Sequence, residues 1–461
     1  MQMSSILLSP FLLLLATLEV TLAAPTPASK DVDALADSNE EYIVLMKETE
    51  KRPWSEIFSS MGHNQTEVGA KTFGHNIRAF TMAMKSDRVS AMSALDSVAI
   101  VAKNYRRATA VMPTTAKPWD MPAAAGFSMH NLKRQAGGLV EQGSAPWNLA
   151  RIATSQPVEV SQGQSAIDLA FSYKFDRQSG SGVDVYVLDT GINVAHQDFN
   201  GRAKMIFSAF GDDGRDNEGH GTHTAGTIGS LTFGVAKNVN LWGVKVLDTQ
   251  GGSDSAIAAG VDAAITQHNQ RKGQPGFMGS VISMSLGGPA GSPAITDIMR
   301  RATDAGIHVS VAAGNENTDA CSSEPGRLST QIPLITVGAT DINDARAGFS
   351  NFGRCVDIHA PGVQVVSTFN KGPRSVMPLD GTSMACPAVT GVIADLLAKN
   401  PNLKTDPAGM KKLLLSMAQK GVIRGVSKMP PNGMVMLNTG IVSAPGSGVP
   451  RNGTLKRRYQ L

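Results

Sequence analysis

The stretch GVDVYVLDTGI, residues 182–192, gives the strongest indication of the fold. Its first half is a nearly continuous run of apolar, β-branched and aromatic residues, which is typical of a strand buried on both faces of a sheet. Helical stretches alternate with this strand and with further strands of the same kind, and one helix carries Ile257, Val261 and Ile265 on a single face. These further strands are VNLWGVKVLD (239–248), GSVISMSLGG (279–288), GIHVSVAAGN (306–315) and LITVGATD (334–341). The alternation predicts an α/β fold with a parallel sheet sandwiched by helices.

Composition and charge exclude several classes of protein. The 461 residues are 42% hydrophobic and 17% charged, as in ordinary globular proteins, and the net charge of +4 is too small to indicate a nucleic-acid partner. Residues 1–23 have the apolar centre and small-residue end of a secretory signal peptide. No other apolar run reaches 18 residues, so no membrane span is expected.

The chain divides by pattern into successive regions. Residues 24–39 are polar and predict a linker, and 40–105 predict a small β-α-β-β-α-β unit of the split ferredoxin-like type. Residues 106–134 lose the pattern, contain three prolines and two dibasic pairs, and predict a linker open to processing. The α/β domain is expected over 135–442, and 443–461 predict a disordered tail.

Three polar residues at strand and helix ends indicate nucleophilic chemistry. Asp189 ends the strand YVLD, His220 begins a helix within EGHGTHTAG, and Ser383 begins another within DGTSMACP. Alone, Ser383 reads as a helix N-cap. Together the three have the residue types of a catalytic triad: a serine becomes nucleophilic when a histidine takes its proton, and the histidine needs a carboxylate to orient it. The order Asp, His, Ser is one of the known orders.

Five ordered motifs carry a family resemblance. VLDTGI, GHGTHTAGTI, SMSLGG, AAGNEN and DGTSMACP resemble, in order, those of the subtilisin-like serine proteases and most closely the fungal proteinase K-like branch, and SAPWNLARI (144–152) resembles the start of the mature enzyme. DTG alone also occurs in pepsin-like aspartic proteases, but those need a second such carboxylate, and only one motif is present. The resemblance implies that Asp189, His220 and Ser383 are catalytic and that Asn315 supplies an oxyanion-hole amide.

The resemblance also implies how polypeptide substrates bind. In this family two chain segments hold the substrate as an added β-strand, and a third lines the main pocket; taken singly, each glycine in them is equally well an ordinary turn residue. The small apolar pocket predicts broad specificity with apolar or aromatic residues before the cut bond. The segments are Gly251, Gly252 and Ser253; Ser285, Leu286, Gly287 and Gly288; and, for the pocket, Ala312, Ala313 and Gly314.

Structural features follow from the same resemblance. No cofactor is expected for catalysis, but a structural calcium ion is expected on the carbonyls of Ile332 and Leu334 and the carboxylate of Asp357, the alternative being that Asp357 is a solvated or salt-bridged loop residue. Cys321 and Cys355 match a disulfide of some relatives. The third cysteine is then a free thiol near Ser383.

The small unit at 40–105 resembles the family's inhibitory prosegment. We therefore expect a monomeric zymogen inhibited by its own prosegment and released between Arg106 and Gly143, with the Lys133-Arg134 pair as the expected junction. The expected destination is the outside medium, with a lytic vacuole as the alternative, and Asn64 and Asn452 stand in glycosylation sequons. The alternative function is a catalytically silent subtilase fold that only binds, which the presence of all four active-site residues disfavours.

Overall fold

The computed structural model describes residues 40–62, 64–66, 69–122, 138–425 and 434–441. The expected signal peptide and linker at 1–39, the Lys133-Arg134 junction and the tail with Asn452 lie outside the described residues. The helices described are α1 (Trp54–Ser60), α2 (Ser86–Ser93), α3 (Trp147–Ile152), α4 (His220–Gly229), α5 (Asp254–Arg271), α6 (Pro293–Asp304), α7 (Thr382–Lys399) and α8 (Pro407–Met417). The strands described are β1 (Glu40–Met46), β2 (Lys71–Phe73), β3 (Ala79–Met84), β4 (Val98–Lys103), β5 (Arg106–Thr109), β6 (Trp119–Asp120), β7 (Leu139–Ala145), β8 (Phe171–Asp176), β9 (Val183–Asp189), β10 (Ala203–Ser208), β11 (Asn240–Lys245), β12 (Leu247–Asp248), β13 (Gly251–Ser253), β14 (Gly279–Met284), β15 (Leu286–Pro289), β16 (His308–Ala312), β17 (Ser323–Glu324), β18 (Ile335–Thr340), β19 (Ile358–Pro361), β20 (Val365–Thr368), β21 (Ser375–Leu379), β22 (Gln419–Lys420) and β23 (Val435–Met436).

The N-terminal unit has the element order β-α-β-β-α-β, with sheet order β2-β3-β1-β4. Strand β1 lies at the centre and pairs antiparallel with β3 and β4. Because side chains alternate along a strand, Tyr42 and Val44 pack into the unit's own core with Phe58, whereas Ile43 and Leu45 pack with the buried residues of α5 and α6. The unit therefore buries one face of its sheet against the larger domain.

Polar side chains on α5 and α6 help to fix this docking. The carboxylate of Asp262 on α5 accepts hydrogen bonds from the backbone N–H groups of His75, Asn76 and Ile77, in the loop between β2 and β3. Arg301 on α6 donates to the carbonyl of Met46. Since three N–H groups share one carboxylate, Asp262 holds the loop as a helix N-cap would hold a first turn.

The larger domain is built on the predicted parallel sheet. Among the described residues its strand order is β10-β11-β9-β14-β16-β18-β19-β23-β22, parallel up to β23. The five strands predicted from their apolar runs are β11, β9, β14, β16 and β18, and they lie side by side. The chain order reverses direction beside β9, and ligands of α/β sheets bind at such a switch point, outside the carboxyl ends of the strands.

Helices cover both faces of this sheet, as predicted. Val185 and Val187 of β9 belong to the core cluster that contains buried residues of α4 and α7, and Tyr186 and Leu188 belong to the cluster with those of α5 and α6. Helix α7 is buried along almost its whole length, because it crosses the centre of the sheet. In the described part of the chain, no helix has both the length and the apolar character needed to cross a bilayer.

Candidate active site

Three adjacent strands bring candidate residues to one edge of the sheet. Asp189 ends β9, Ser285 directly follows β14, and Asn315 stands three residues after β16. Helices α4 and α7 pack together on one face and begin at this same edge, with His220 and Ser383 in their first turns. The fold thus collects the residues predicted from separate motifs.

Asp189 and His220 form a buried hydrogen-bonded pair. Asp189 Oδ1 lies 2.7 Å from His220 Nδ1, and its Oδ2 accepts a hydrogen bond from Thr224 Oγ1 at 3.1 Å. Burial opposes the charged imidazolium, but the charge and hydrogen bond of Asp189 outweigh it and raise the pKa of His220. The other ring nitrogen, Nε2, is buried and has no hydrogen-bond partner among the described residues. A neutral His220 in this tautomer presents Nε2 as a proton acceptor.

A second carboxylate, Asp216, organises the loop before α4. Its oxygens accept hydrogen bonds from Thr190 Oγ1 at 2.9 Å, Thr222 Oγ1 at 2.6 Å and the backbone N–H of Gly219 at 2.7 Å. Thr190 Oγ1 also accepts from the N–H of Gly221. The network ties the end of β9 to the start of α4, so it fixes the spacing of the Asp189–His220 pair.

Ser383 is held by its neighbours rather than by His220. Its Oγ donates to the carbonyl of Ser285 at 3.0 Å, and its own carbonyl accepts from Ser285 Oγ at 2.9 Å. That carbonyl is free because the residue four positions later, Pro387, has no N–H to donate. Ser383 Oγ makes no hydrogen bond to His220 in this structure, since Oγ is turned to the Ser285 carbonyl.

The side-chain amide of Asn315 lies beside the start of α7 and has an Nδ2 group without a partner among the described residues. Its Oδ1 accepts from the N–H of Thr382 at 2.9 Å and from Thr382 Oγ1 at 2.8 Å, whereas Nδ2 is buried without a hydrogen-bond partner in the described residues. A Cβ built at Gly381 would lie 3.3 Å from Nδ2 and only 2.5 Å from the carbonyl oxygen of Ala110. Glycine is needed here because the amide and that carbonyl border the same space.

The chain's own residues 106–112 lie across this edge. Strand β5 pairs antiparallel with β13 on one side and β15 on the other, so the two predicted substrate-binding segments flank a peptide strand. The Ala110 carbonyl accepts the Ser383 N–H at 3.0 Å, and the Ala110 N–H donates to the Ser285 carbonyl at 3.2 Å. The Met112 N–H donates to the Asp380 carbonyl at 2.8 Å. The Ala110–Val111 peptide bond is therefore held on both sides beside Ser383.

The predicted pocket residues are the last residue of β16, Ala312, and the two that follow it. Ala312 and Ala313 are buried, and the Ala313 N–H donates to the Val337 carbonyl. Gly314 has φ of +99°, and its N–H donates to Thr382 Oγ1 at 3.2 Å. These contacts fix the segment directly before Asn315.

The predicted calcium site does not fit a calcium ion. The ammonium of Lys411 lies 2.8 Å from Asp357 Oδ1 and 2.8 Å from the Leu334 carbonyl, while the Ile332 carbonyl accepts the Leu334 N–H. A dication needs six to eight oxygen ligands, but a fixed positive charge already lies between two of the expected ones. Asp357 is the salt-bridged loop residue that the sequence left as the alternative. No group of three or more His, Cys, Asp or Glu arranged to bind a metal occurs among the residues the structure describes.

The cysteines pair as the resemblance implied. Cys321 and Cys355 form a disulfide that closes a separation of 34 residues. Cys386 is a free thiol, fully buried, with Ser310 Oγ 3.3 Å from its sulfur, and burial raises its pKa. The thiol is close to Ser383 in sequence, but it packs against the strands β14 and β16, near the Met284 carbonyl and Ser310 Oγ.

Several residues of the site had no signal in the sequence. Lys411 comes from a helix 77 residues after Leu334 and reads as an ordinary helix-surface lysine. The strand at Arg106–Thr109 lies in a region without periodicity, which was predicted to be a linker. Asp216 offered one weak signal, because it stands shortly before the GHGTH motif.

Comparison with known proteins agrees with this geometry. The model of the subtilase family matches residues 180–433, which is more than half of the chain. The chain belongs to the subtilase family. Its relatives include a subtilisin-like serine protease of Rhodotorula mucilaginosa, 42% identical over 301 residues that cover 62% of this chain and 84% of the relative. The cuticle-degrading protease of Metarhizium anisopliae is 42% identical over 65% of this chain and 70% of its own length.

More distant matches place the fold in the same family. Cerevisin of Saccharomyces cerevisiae is 39% identical over 64% of this chain, but the match spans only 47% of cerevisin. A solved structure, a cold-adapted subtilisin-like serine proteinase, is 35% identical with a TM-score of 0.54 and covers 64% of this chain and 98% of its own. The predicted family and fold are confirmed. As a member of this family, the subtilase is a serine endopeptidase that acts on polypeptides and needs no catalytic cofactor.

Proposed function

We propose that the subtilase cuts peptide bonds with Asp189, His220 and Ser383 as a catalytic triad and Asn315 as an oxyanion-hole donor. One observation carries the proposal: a peptide strand crosses the site with the Ala110 carbonyl on the Ser383 N–H. Oxyanion stabilisation requires donors aimed at the carbonyl oxygen of the reacting bond. The Ser383 N–H meets that requirement through its hydrogen bond to the Ala110 carbonyl. The amide of Asn315, which has no partner among the described residues, lies near that carbonyl, since both are close to the Cβ position of Gly381.

The reaction starts with a rotation of Ser383 about its Cα–Cβ bond. Oγ turns from the Ser285 carbonyl towards the unpaired Nε2 of His220, gives its proton to Nε2 and bonds to the substrate carbonyl carbon. The C=O electron pair moves to oxygen, where the two donors hold it. Asp189 keeps Nδ1–H in place and stabilises the imidazolium.

The second half of the reaction releases both products. When the tetrahedral intermediate collapses, the C–N bond breaks and His220 gives its proton to the leaving amine. Water then enters, His220 takes one of its protons, and the remaining hydroxide bonds to the acyl carbon. When this second tetrahedral intermediate collapses, the ester bond to Ser383 breaks and His220 gives its proton to Ser383 Oγ, which restores the serine. The carboxylic acid product leaves and ionises to the carboxylate.

The subtilase is made as a zymogen in this proposal, with 40–105 as its inhibitory prosegment. The docking through Asp262 and Arg301 and the placement of β5 in the cleft support this role, since the segment blocks the site that it crosses. The first cut falls at Ala110–Val111, before the Lys133-Arg134 pair, which remains a separate processing site. The catalytic domain at 135–442, the apolar preference and the secretory or vacuolar destination are part of the same proposal.

Labelling with a fluorophosphonate tests the proposal. The processed chain should be labelled at Ser383, found by peptide mapping, and the Ser383→Ala variant should remain unlabelled. A chain that folds but is not labelled would instead be the catalytically silent binding protein. Labelling at another serine would exclude the assigned nucleophile.

A further inference from the structure

Arg107 inserts its side chain into a buried acidic pocket. The residue is 2% exposed, its Nε lies 2.6 Å from Asp254 Oδ1, and its Nη2 lies 3.2 Å from Asp254 Oδ2. Nη1 donates to the Pro289 carbonyl at 2.8 Å, and Nη2 lies 3.5 Å from Glu324 Oε2. All three guanidinium nitrogens are thus engaged in the planar, forked geometry that arginine offers and lysine does not.

The pocket is built by the larger domain and not by the unit at 40–105. Asp254 begins α5 and Glu324 lies in β17, and Ser292 links them by donating Oγ to Asp254 Oδ2 at 2.6 Å and its N–H to Glu324 Oε2 at 2.9 Å. Glu324 also pairs with Arg327 at 2.6 Å. For Asp254, the described residues offer no ion pair other than that with Arg107.

Removal of strand β5 would leave the Asp254 carboxylate without a counter-charge. Both acidic side chains are fully buried in the present structure. Breaking a buried ion pair by removing one partner is unfavourable, and the Asp254 carboxylate would then have water but no cation to interact with. The emptied pocket therefore favours any ligand that returns a cation to Asp254.

The position of Arg107 in β5 indicates which residue of a substrate would place a cation beside Asp254. Arg107 stands three residues before Ala110, whose carbonyl accepts the Ser383 N–H. The opposite strand is adapted to it, since a Cβ built at Gly288 would lie 2.9 Å from Arg107 Nη1. A substrate bound in the same register between β13 and β15 would direct its own side chain into the same pocket.

We propose that Asp254 and Glu324 form a specificity pocket for arginine, so that the subtilase prefers polypeptides with arginine three residues before the residue preceding the cut. This inference rests on the proposed function. It makes the preference of the enzyme two-part: a small or apolar residue next to the cut bond and a guanidinium further back. Arg106 is the internal contrast, because its side chain is exposed.

Matched chromogenic peptides on the processed wild-type enzyme test the inference. Acetyl-Arg-Ala-Thr-Ala-p-nitroanilide copies residues 107–110, and its counterparts carry Ala or Lys in place of Arg. We expect kcat/KM for the Arg peptide to exceed that for the Ala peptide by at least about 30-fold, the lower end of the range for truncating a buried, hydrogen-bonded charge, with the Lys peptide in between. Equal kcat/KM values for the Arg and Ala peptides would contradict the arginine specificity of the pocket but not the endopeptidase activity.

Variants locate the effect. Asp254→Asn and, separately, Glu324→Gln should lower the Arg-to-Ala ratio measured within each variant, and Asp304→Asn, an exposed acidic residue on α6, should keep the wild-type ratio. An unchanged ratio in both pocket variants would contradict the assignment. If neither peptide is cut and no fluorophosphonate label is taken up, the proposed function fails, and the inference fails with it.

Discussion

Replacing Lys411 with methionine removes an ammonium that three acceptors share. Its Nζ lies 2.8 Å from Asp357 Oδ1, 2.8 Å from the Leu334 carbonyl and 2.9 Å from the Ser329 carbonyl. The Lys411 and Asp357 side chains are only 17% and 13% exposed, so water replaces the lost contacts poorly. We expect Lys411→Met to lower the free energy of unfolding by about 3 kcal/mol, the lower end of the range for breaking a buried pair, because this one is not fully buried.

The melting temperature reports this loss. At about 2 °C per kcal/mol for a domain of this size, Lys411→Met should melt about 6 °C lower. The measurement is made in the Ser383→Ala background, where self-digestion cannot distort the transition. Lys412→Met is the matched control: its lysine is exposed on the same helix, and its melting temperature should not change.

The melting temperature in the presence of a calcium chelator tests the assignment of Lys411. Because the ammonium already holds the expected ligands, an excess of chelator should not shift the melting temperature through this site. The opposite result would be a melting temperature that falls on chelation in the wild type but not in Asp357→Asn, and that is unchanged in Lys411→Met. It would show that calcium, and not the Lys411 ammonium, binds at Asp357.

Four further predictions concern the triad, the oxyanion hole, the disulfide and the free thiol. Asp189→Asn should reduce kcat about 10⁴-fold. Asp189 raises the pKa of His220, and His220 must be neutral to act as a base, so activity is lost as the pH falls through that pKa. The acid limb of the pH–rate profile should therefore move to lower pH in the variant, and a limb that stays in place would contradict the Asp189–His220 pairing. Asn315→Ala should lower kcat about 10²- to 10³-fold with little change in KM, whereas a change confined to KM would remove its oxyanion role. Reducing the disulfide should lower the free energy of unfolding by about 3–4 kcal/mol, and Cys386 should react with a thiol reagent only on unfolding, so rapid labelling of the native enzyme would contradict its burial.

Elements with a local pattern could be predicted from the sequence. The five apolar strands and the β-α-β-β-α-β order at 40–105 follow from periodicity, because each strand or helix face is buried by one repeating pattern of residues. Asp189, His220 and Ser383 each stand where such an element begins or ends. The structure places the first two in contact and all three at one sheet edge.

Contacts between distant segments could not be predicted in this way. Strand β5 has no apolar alternation, and it is extended because β13 and β15 supply its hydrogen bonds from more than 140 residues away. Lys411 meets Asp357 only after α8 has packed on the domain. The sequence shows the charge of each residue but not its partner. Arg107 and Lys411 complete buried sites, yet from the sequence alone they are expected to be a linker residue and a surface residue.

Cutting of the chain by its own active site can be measured from the mass of the released N-terminal fragment. The full chain is folded in isolation from other proteases, and its fragments are measured by intact-mass spectrometry beside those of Ser383→Ala. We predict one fragment ending at Ala110 and a second beginning at Val111 in the wild type, and an uncut chain in the variant. A wild-type chain first cut elsewhere, or a Ser383→Ala chain cut at the same bond, would contradict this prediction.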